Sequence, residues 1–204
     1  MAVRAFTRCP FAALTGGRTL AATKRGGGGG GGGGGGRCFD KDAVDQKAAE
    51  RAGLTLDEAW SVDEVNLYDR LGLDTLQKFS TAFYTSFYKD KPYYEALFKT
   101  HPLEQSIENQ WSFLAQRFGG PQLFNELKGG PAQMLRRHED YPCNDTTAER
   151  WLHHSQIAFE QVPEIDDDSR LRMERFFKWM AYFLVEGQKA RKEAGCGQGR
   201  RQGG

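Results

Sequence analysis

Histidine is the side chain best suited to bind a metal ion or transfer a proton near neutral pH, and this 204-residue sequence contains four. His138 stands alone in a segment rich in Gly and Pro. His153 and His154 are adjacent within a helical pattern, and we interpret them as ordinary helix positions. His101 resembles a helix-start residue. An isolated histidine is more often a satisfied polar residue than a metal ligand, so residue type alone leaves the role of His138 open.

A second chemical signal lies on a predicted helix from about residue 103 to 118. Ser106, Gln110 and Phe113 recur at i, i+4 and i+7, which places a hydroxyl, an amide and a ring on one side of it, beside an apolar stripe. A buried amide needs hydrogen-bond partners, so Gln110 indicates a polar cavity or a solvated edge. Tyr84 and Trp151 also carry donors, but each is equally consistent with a core aromatic residue.

Composition excludes several functional classes. Lys and Arg number 28 against 27 Asp and Glu, a balance that gives no reason to expect a nucleic-acid or membrane partner. No stretch approaches eighteen apolar residues, so no transmembrane segment is predicted. The four cysteines lack C-x-x-C spacing, which argues against a zinc site or a disulfide framework and fits a reducing compartment; they are Cys9, Cys38, Cys143 and Cys196.

The ends of the chain differ from its middle. Residues 1–39 are basic, contain no acid and include an uninterrupted glycine run from Gly26 to Gly36, so we expect a disordered leader with a flexible linker. The leader is typical of a transit peptide that directs a protein to the chloroplast or mitochondrion. The alternative is a disordered tail with no targeting role, in which case the protein would be cytoplasmic. The run is not a phosphate loop because no Lys-Ser/Thr follows it. Residues 193–204 are predicted to be a flexible tail.

The middle of the chain is predicted to be all-α, because apolar residues recur at intervals of three and four residues and β-branched residues are scarce. Residues 40–65 form a predicted helical extension, with a leading helix to Trp60 and a capping box at 61–64. Gly72 ends or bends the next helix. A second capping box at 146–149 begins a later helix, and the acidic run 166–168 begins a final long helix. The final helix is predicted to turn the following residues inward: Leu171, Phe176, Phe177, Met180, Phe183 and Leu184.

The order and spacing of several residues in the helical part of the chain match the pattern of a known protein family. The pattern runs from about residue 66 to 185 and resembles the group II truncated haemoglobins, especially plant and algal members. The residues that carry the resemblance are Phe83-Tyr84, Phe98, Gln110, Phe113-Leu114, Gly119-Gly120-Pro121, Arg137-His138 and Ala148-Glu149-Arg150-Trp151-Leu152.

The resemblance implies a two-over-two helical sandwich over residues 66–192 that holds a b-type haem, with His138 as the iron ligand and the sixth position open. Tyr84, Gln110 and Trp151 would donate hydrogen bonds to a bound gas. Ser106 would face the same side. Phe98, Phe113 and Leu114 would contact the porphyrin, and Arg137 or Arg136 would pair with a haem propionate.

The expected function is reversible binding of dioxygen and other diatomic gases, including nitric oxide and carbon monoxide, by a monomer or homodimer. Turnover of nitric oxide or nitrite with a separate reductase is a further expectation. The alternative is a haem-free helical interaction module that retains the globin shape. A gas sensor ranks last, because the leader and tail are too poor in apolar residues to form an output domain.

The sequence departs from the family pattern around His138. Glu139-Asp140 stands where the family has Ala-Pro, while the aromatic residue and second proline remain as Tyr141 and Pro142. The stretch that precedes His138 is one residue longer, and Gly130 replaces a frequent His. We therefore expect the loop geometry and the propionate-pairing arginine to differ from the pattern, and not His138 itself.

Overall fold

The computed structural model describes residues 39–93, 101–128 and 134–195, without the side chains of 126–128. The predicted leader, glycine linker and terminal tail lie outside these residues, except for Phe39 and residues 193–195. Phe98 also lies outside them. The chain between consists of α1 (Lys41–Ala52), α2 (Leu56–Ala59), a 3₁₀ turn (Ser61–Asp63), α3 (Leu67–Lys89), α4 (Leu103–Arg117), α5 (Leu123–Lys128), α6 (Met134–Arg137), α7 (Asp145–Gln161) and α8 (Asp167–Glu193).

The predicted all-α class is confirmed, and no strand occurs in the part of the chain that the structure describes. No helix there is long and apolar enough to cross a membrane. The leading helix was predicted to continue to Trp60, and this is wrong. Gly53 adopts a left-handed conformation (φ 69°) and its amide caps α1, because glycine reaches positive φ at little cost.

Two predicted capping boxes are also wrong in position. Ser61 begins a 3₁₀ turn without a side-chain cap, and the N-cap of α3 is Asn66, whose side chain accepts from the Asp69 amide. The N-cap of α7 lies two residues before the predicted box, because Asn144 and Thr147 form a reciprocal cap. The predicted break at Gly72 is confirmed as a kink inside α3 (φ 74°, ψ 166°).

Helices α3 and α4 form one layer and α7 and α8 the other, with α3 packed across α7; α1 lies along α8. Phe79 of α3 lies at ring-centroid distances of 4.9 Å from Phe159 of α7 and 5.7 Å from Phe177 of α8. This two-over-two arrangement places the aromatic core between the layers. Leu171, predicted to point inward, is 45% exposed, because it lies on the outer face of α8.

The Gly-Gly-Pro turn after α4 allows α3 and α4 to meet closely. Gly119 has φ 97°, and the Gly120 amide donates to the Ala115 carbonyl. A Cβ on Gly120 would lie 2.6 Å from the Tyr68 ring, closer than atoms pack. The turn therefore fixes where the start of α3 crosses the end of α4.

A buried arginine joins the N-terminal extension to the rest of the fold, which the sequence did not predict. The Arg117 side chain is fully buried and pairs through two nitrogens with the Asp63 carboxylate. Its guanidinium lies 5.0 Å from the Trp60 ring and 4.7 Å from the Phe176 ring. The extension is thus packed against α8 and the end of α4.

Candidate functional site

A cavity of about 440 Å³ lies between the two helical layers. Its wall is built from α3, α4, α5, α6, α7, α8 and the loop after α6. Every predicted site residue that the structure describes lines this one cavity: Tyr84, Ser106, Gln110, Phe113, Leu114, Arg137, His138 and Trp151. A volume of this size falls in the range of cofactor and small-molecule sites.

His138 follows the short helix α6, and its backbone amide bonds to the Met134 carbonyl. Its Nδ1 lies 2.8 Å from the same carbonyl oxygen, which can only accept, so Nδ1 carries the proton. Burial lowers the pKa of His138 and favours the neutral ring. Nε2 is then the nitrogen with a lone pair for a metal. Within the described residues no three His, Cys, Asp or Glu form a metal cluster.

Gln188 of α8 holds the loop around His138, and the sequence analysis missed it. It is 5% exposed, and its Nε2 donates to the carbonyl of His138 and to that of Tyr141 (3.1 Å). The neighbouring Gly187 permits the approach, since a Cβ there would lie 2.5 Å from Leu135 Cδ2. A buried amide near the end of a long helix was the available signal.

The cavity wall also carries the predicted donors. Gln110 of α4 is 8% exposed, and its Oε1 accepts no hydrogen bond from any residue in the described part of the chain. Burial raises the pKa of Tyr84 above the ordinary tyrosine value, so its hydroxyl keeps the proton that it would donate. The Trp151 ring lies 5.3 Å from Phe83 and 5.2 Å from Phe177, which fixes the indole plane.

Ser106 lines the cavity, but its hydroxyl is already engaged. It lies 2.7 Å from the Tyr88 hydroxyl, which also contacts the His101 carbonyl oxygen at 2.9 Å. His101, interpreted only as a helix-start residue, also lines the cavity, with Nε2 3.4 Å from the Tyr141 hydroxyl. His101 and Tyr141 are therefore site residues that periodicity could not reveal, because they come from two separate segments. Tyr88 does not line the cavity and holds Ser106 from behind.

Arg137 lies at the cavity wall, with its guanidinium 5.0 Å from the Phe124 ring. Burial lowers the pKa of this guanidinium, although arginine stays charged at neutral pH. Its charge suits a carboxylate-bearing ligand. Arg136, the alternative named from the sequence, is exposed and does not line the cavity.

The remaining lining is largely apolar, with Phe113 packed on Phe124 at 5.4 Å and Leu114 1% exposed. A flat apolar macrocycle with a central metal and charged edges requires one neutral imidazole, apolar walls and a cation. His138, this lining and Arg137 meet those needs, and Gln110 adds a buried amide whose NH2 group can donate to a ligand. The residues therefore fit a haem.

Comparisons with known proteins agree with the fold. The family model described as bacterial-like globin matches residues 66–183. Two-on-two hemoglobin-3 of Arabidopsis thaliana is 40% identical over 152 residues, covering 74% of this chain and 86% of that protein. Group 2 truncated hemoglobin 3-1 of Lotus japonicus is 39% identical over 146 residues, covering 71% of this chain and 86% of that protein.

Solved structures show the same architecture. The hemoglobin of the thermophilic phototrophic bacterium Chloroflexus aurantiacus superposes with a TM-score of 0.54 at 27% identity, covering 58% of this chain and 96% of that one. The group II truncated hemoglobin of Bacillus anthracis gives 0.53 at 21% identity, covering 57% and 88%, and supports the fold alone. The chain thus belongs to the bacterial-like globin family, as a two-over-two truncated haemoglobin of group II.

Proposed function

We propose that this globin holds a b-type haem through Nε2 of His138 and binds dioxygen reversibly on the opposite face. The observation that carries the proposal is the hydrogen bond from His138 Nδ1 to the Met134 carbonyl, because it leaves Nε2 unprotonated on a cavity-lining ring. A non-covalent, b-type attachment is favoured since the sequence has no C-x-x-C-H motif. Bound haem supplies an iron with one open coordination position for a diatomic gas.

The polar wall of the cavity supports retention of a gas that gains negative charge on binding. Tyr84 and Trp151 can donate from rings held by Phe83, and Gln110 can donate through its amide nitrogen. A hydrogen bond contributes about 1 kcal/mol net, or roughly a fivefold change in affinity. Two or three such donors favour slow gas release over rapid exchange.

The direct test is the absorption spectrum of the protein, reconstituted with haem, in ferric, ferrous and carbon monoxide forms. We expect a Soret band at one haem per chain and a five-coordinate ferrous spectrum. His138→Ala should lose stoichiometric haem. The matched control is His153→Ala, because His153 is exposed on α7 and lines no part of the cavity. A wild-type protein without a Soret band would instead support a haem-free helical interaction module.

We further propose that the site can turn over nitric oxide or nitrite. Conversion of nitric oxide and dioxygen to nitrate takes one electron, which a haem held by His138 would supply, so a separate reductase would have to return that electron. The test measures the rate at which the haem-loaded protein consumes nitric oxide, with and without dioxygen, in the presence of a flavin reductase and NADH. Consumption that stops after one equivalent, even with the reductase present, excludes turnover and leaves gas binding intact.

A further inference from the structure

A buried polar cluster lies behind the cavity wall, between α3 and α7. His154 of α7 is 3% exposed. Its Nδ1 lies 2.8 Å from the Ser86 hydroxyl and its Nε2 3.1 Å from Asp90 Oδ2. Ser86 and Asp90 lie one turn apart near the end of α3, so one imidazole joins two turns of the neighbouring helix.

Both ring nitrogens of His154 have hydrogen-bond partners in this cluster. A carboxylate only accepts, so Nε2 of His154 donates to Asp90, and Nδ1 of the neutral ring then accepts from the Ser86 hydroxyl. The Asp90 side chain is 9% exposed and also accepts from Arg150 Nε. Moving α7 relative to α3 would leave buried polar atoms without partners, which is costly. The cluster therefore fixes the position of one helix on the other.

The cluster is connected to the cavity through aromatic rings. The His154 ring lies 5.1 Å from Phe87 and 6.4 Å from Phe83. Phe83 in turn lies 5.0 Å from Tyr84 and 5.3 Å from Trp151. Trp151 precedes His154 by three residues on α7, so both lie on the same side of that helix. A displacement of His154 would thus reach both aromatic donors of the polar wall.

The residue types Ser, His and Asp also occur in hydrolase triads, but this geometry does not support hydrolysis. Ser86 lies inside the continuous helix α3, whose backbone amides are already bonded, so no pair of amides is available for an oxyanion. Neither Ser86 nor His154 lines the cavity. The arrangement is therefore one of support, not of nucleophilic chemistry.

We propose that His154 is a positioning residue that holds the Tyr84 and Trp151 donors at the angle required by a gas in the cavity. The inference rests on the proposed function for its consequence, since donor placement matters only if a ligand lies there. The positioning itself does not depend on the proposed function, because it comes from the hydrogen bonds of His154 to Ser86 and Asp90.

The test compares His154→Leu, which removes both ring nitrogens, with His154→Gln, which keeps a donor for Asp90. In the carbon monoxide complex we expect His154→Leu to raise the C–O stretching frequency, because displaced donors draw less charge onto the ligand oxygen. The oxygen dissociation rate should rise about fivefold, as expected for loss of about one hydrogen bond. His154→Gln should restore most of both values.

A second readout does not require haem. The Trp151 indole N–H gives one of four tryptophan side-chain resonances, assigned by its loss in Trp151→Phe. We expect this resonance to shift in His154→Leu and, to a smaller extent, in Ser86→Ala. Because Ser86→Ala is the milder change, it provides the test if His154→Leu does not fold. Recorded on the protein as purified, this resonance tests the positioning role even if the Soret band is absent and the proposed function fails.

The control for a general loss of stability is Asp63→Asn, which disrupts the Arg117 pair at another place in the fold. It should lower the melting temperature without moving the C–O frequency or the Trp151 resonance. If His154→Leu and Ser86→Ala behave like Asp63→Asn, with lower melting temperatures and an unmoved Trp151 resonance, His154 is only a structural residue and the proposal is overturned.

Discussion

Tyr84, Gln110 and Trp151 bring donors to one cavity, but their surroundings constrain them differently. Tyr84 and Trp151 are held by contacts with the Phe83 ring, whereas the Gln110 amide oxygen has no partner in the described residues. An aromatic ring in a packed wall has little freedom to turn, while an amide can rotate about its side chain. We therefore expect Tyr84 and Trp151 to set the geometry and Gln110 to adapt to the ligand.

Replacing Tyr84 by Phe tests the donor role of a single hydroxyl. The ring and its packing remain, so the change removes about 1 kcal/mol of ligand stabilisation and raises the oxygen dissociation rate roughly fivefold. The rate is measured by stopped-flow displacement of oxygen with carbon monoxide. Tyr88→Phe is the matched control, because Tyr88 lies one turn further along α3 and bonds to Ser106. Equal effects of the two variants would contradict a direct contact between Tyr84 and the gas.

At the scale of elements, His138 depends on helices that are distant in sequence. The short helix α6 supplies the Met134 carbonyl, and Gln188 of α8 holds the carbonyls of the loop that follows. The loop itself differs from the family pattern at Glu139-Asp140. Because Gln188 contacts backbone atoms, it can hold the loop whatever side chains the loop carries.

Gln188→Leu should weaken retention of haem. The carbonyls of His138 and Tyr141 keep their backbone donors, the amides of Tyr141 and Cys143, but lose their hydrogen bonds from α8. The loop and His138 then lose their fixed orientation, and supporting residues of this kind change metal affinity by about tenfold. Haem transfer to an excess of apomyoglobin gives the rate. Lys189→Ala, an exposed change at the next position, should leave it unaltered. A wild-type transfer rate in Gln188→Leu would contradict the proposed support.

Asp90→Asn tests the contact between α3 and α7 through pH. Hydrogen bonds from Arg150 and His154 hold the pKa of Asp90 below its usual value, so the folded state favours the carboxylate. The stabilisation is therefore present above the unfolded pKa of about 3.9 and is lost as pH falls through the lower folded pKa. In urea titrations, Asp90→Asn should cost about 1 kcal/mol near neutral pH, and the difference should fade in acid. A difference that grows in acid would reverse this assignment.

At the scale of the whole molecule, the N-terminal extension is part of the folded domain although the family match begins at residue 66. Helix α1 packs along α8, and Arg117 is enclosed by Trp60, Phe176 and the Asp63 carboxylate. A carboxylate that pairs with this buried charge thus comes from outside the matched region. Removing that carboxylate would take away a two-nitrogen ion pair from a guanidinium held in the interior.

Asp63→Asn should consequently lower the free energy of unfolding by about 2 kcal/mol, less than for a fully buried pair because the Asp63 side chain is 39% exposed. Arg117→Met in the same background should recover part of the loss, since an apolar side chain of similar length needs no partner. Denaturant titration of the single and double variants measures both. If the double variant is no more stable than Asp63→Asn, the buried charge is not the cause.

The sequence by itself determined the helical class, the kink at Gly72, and the family order that names His138, Tyr84, Gln110 and Trp151, because periodicity and spacing are local properties. Helix starts at Asn66 and Asn144 were misplaced by a few residues, since several nearby Ser, Thr and Asn residues can cap equally well. Only the tertiary structure decided that Gln188 holds the His138 loop, that Arg117 and Asp63 pair, and that His154 bonds to Ser86 and Asp90. The physical reason is that each of these contacts joins residues at least 47 positions apart. Burial, not local spacing, determines which polar atoms must be paired.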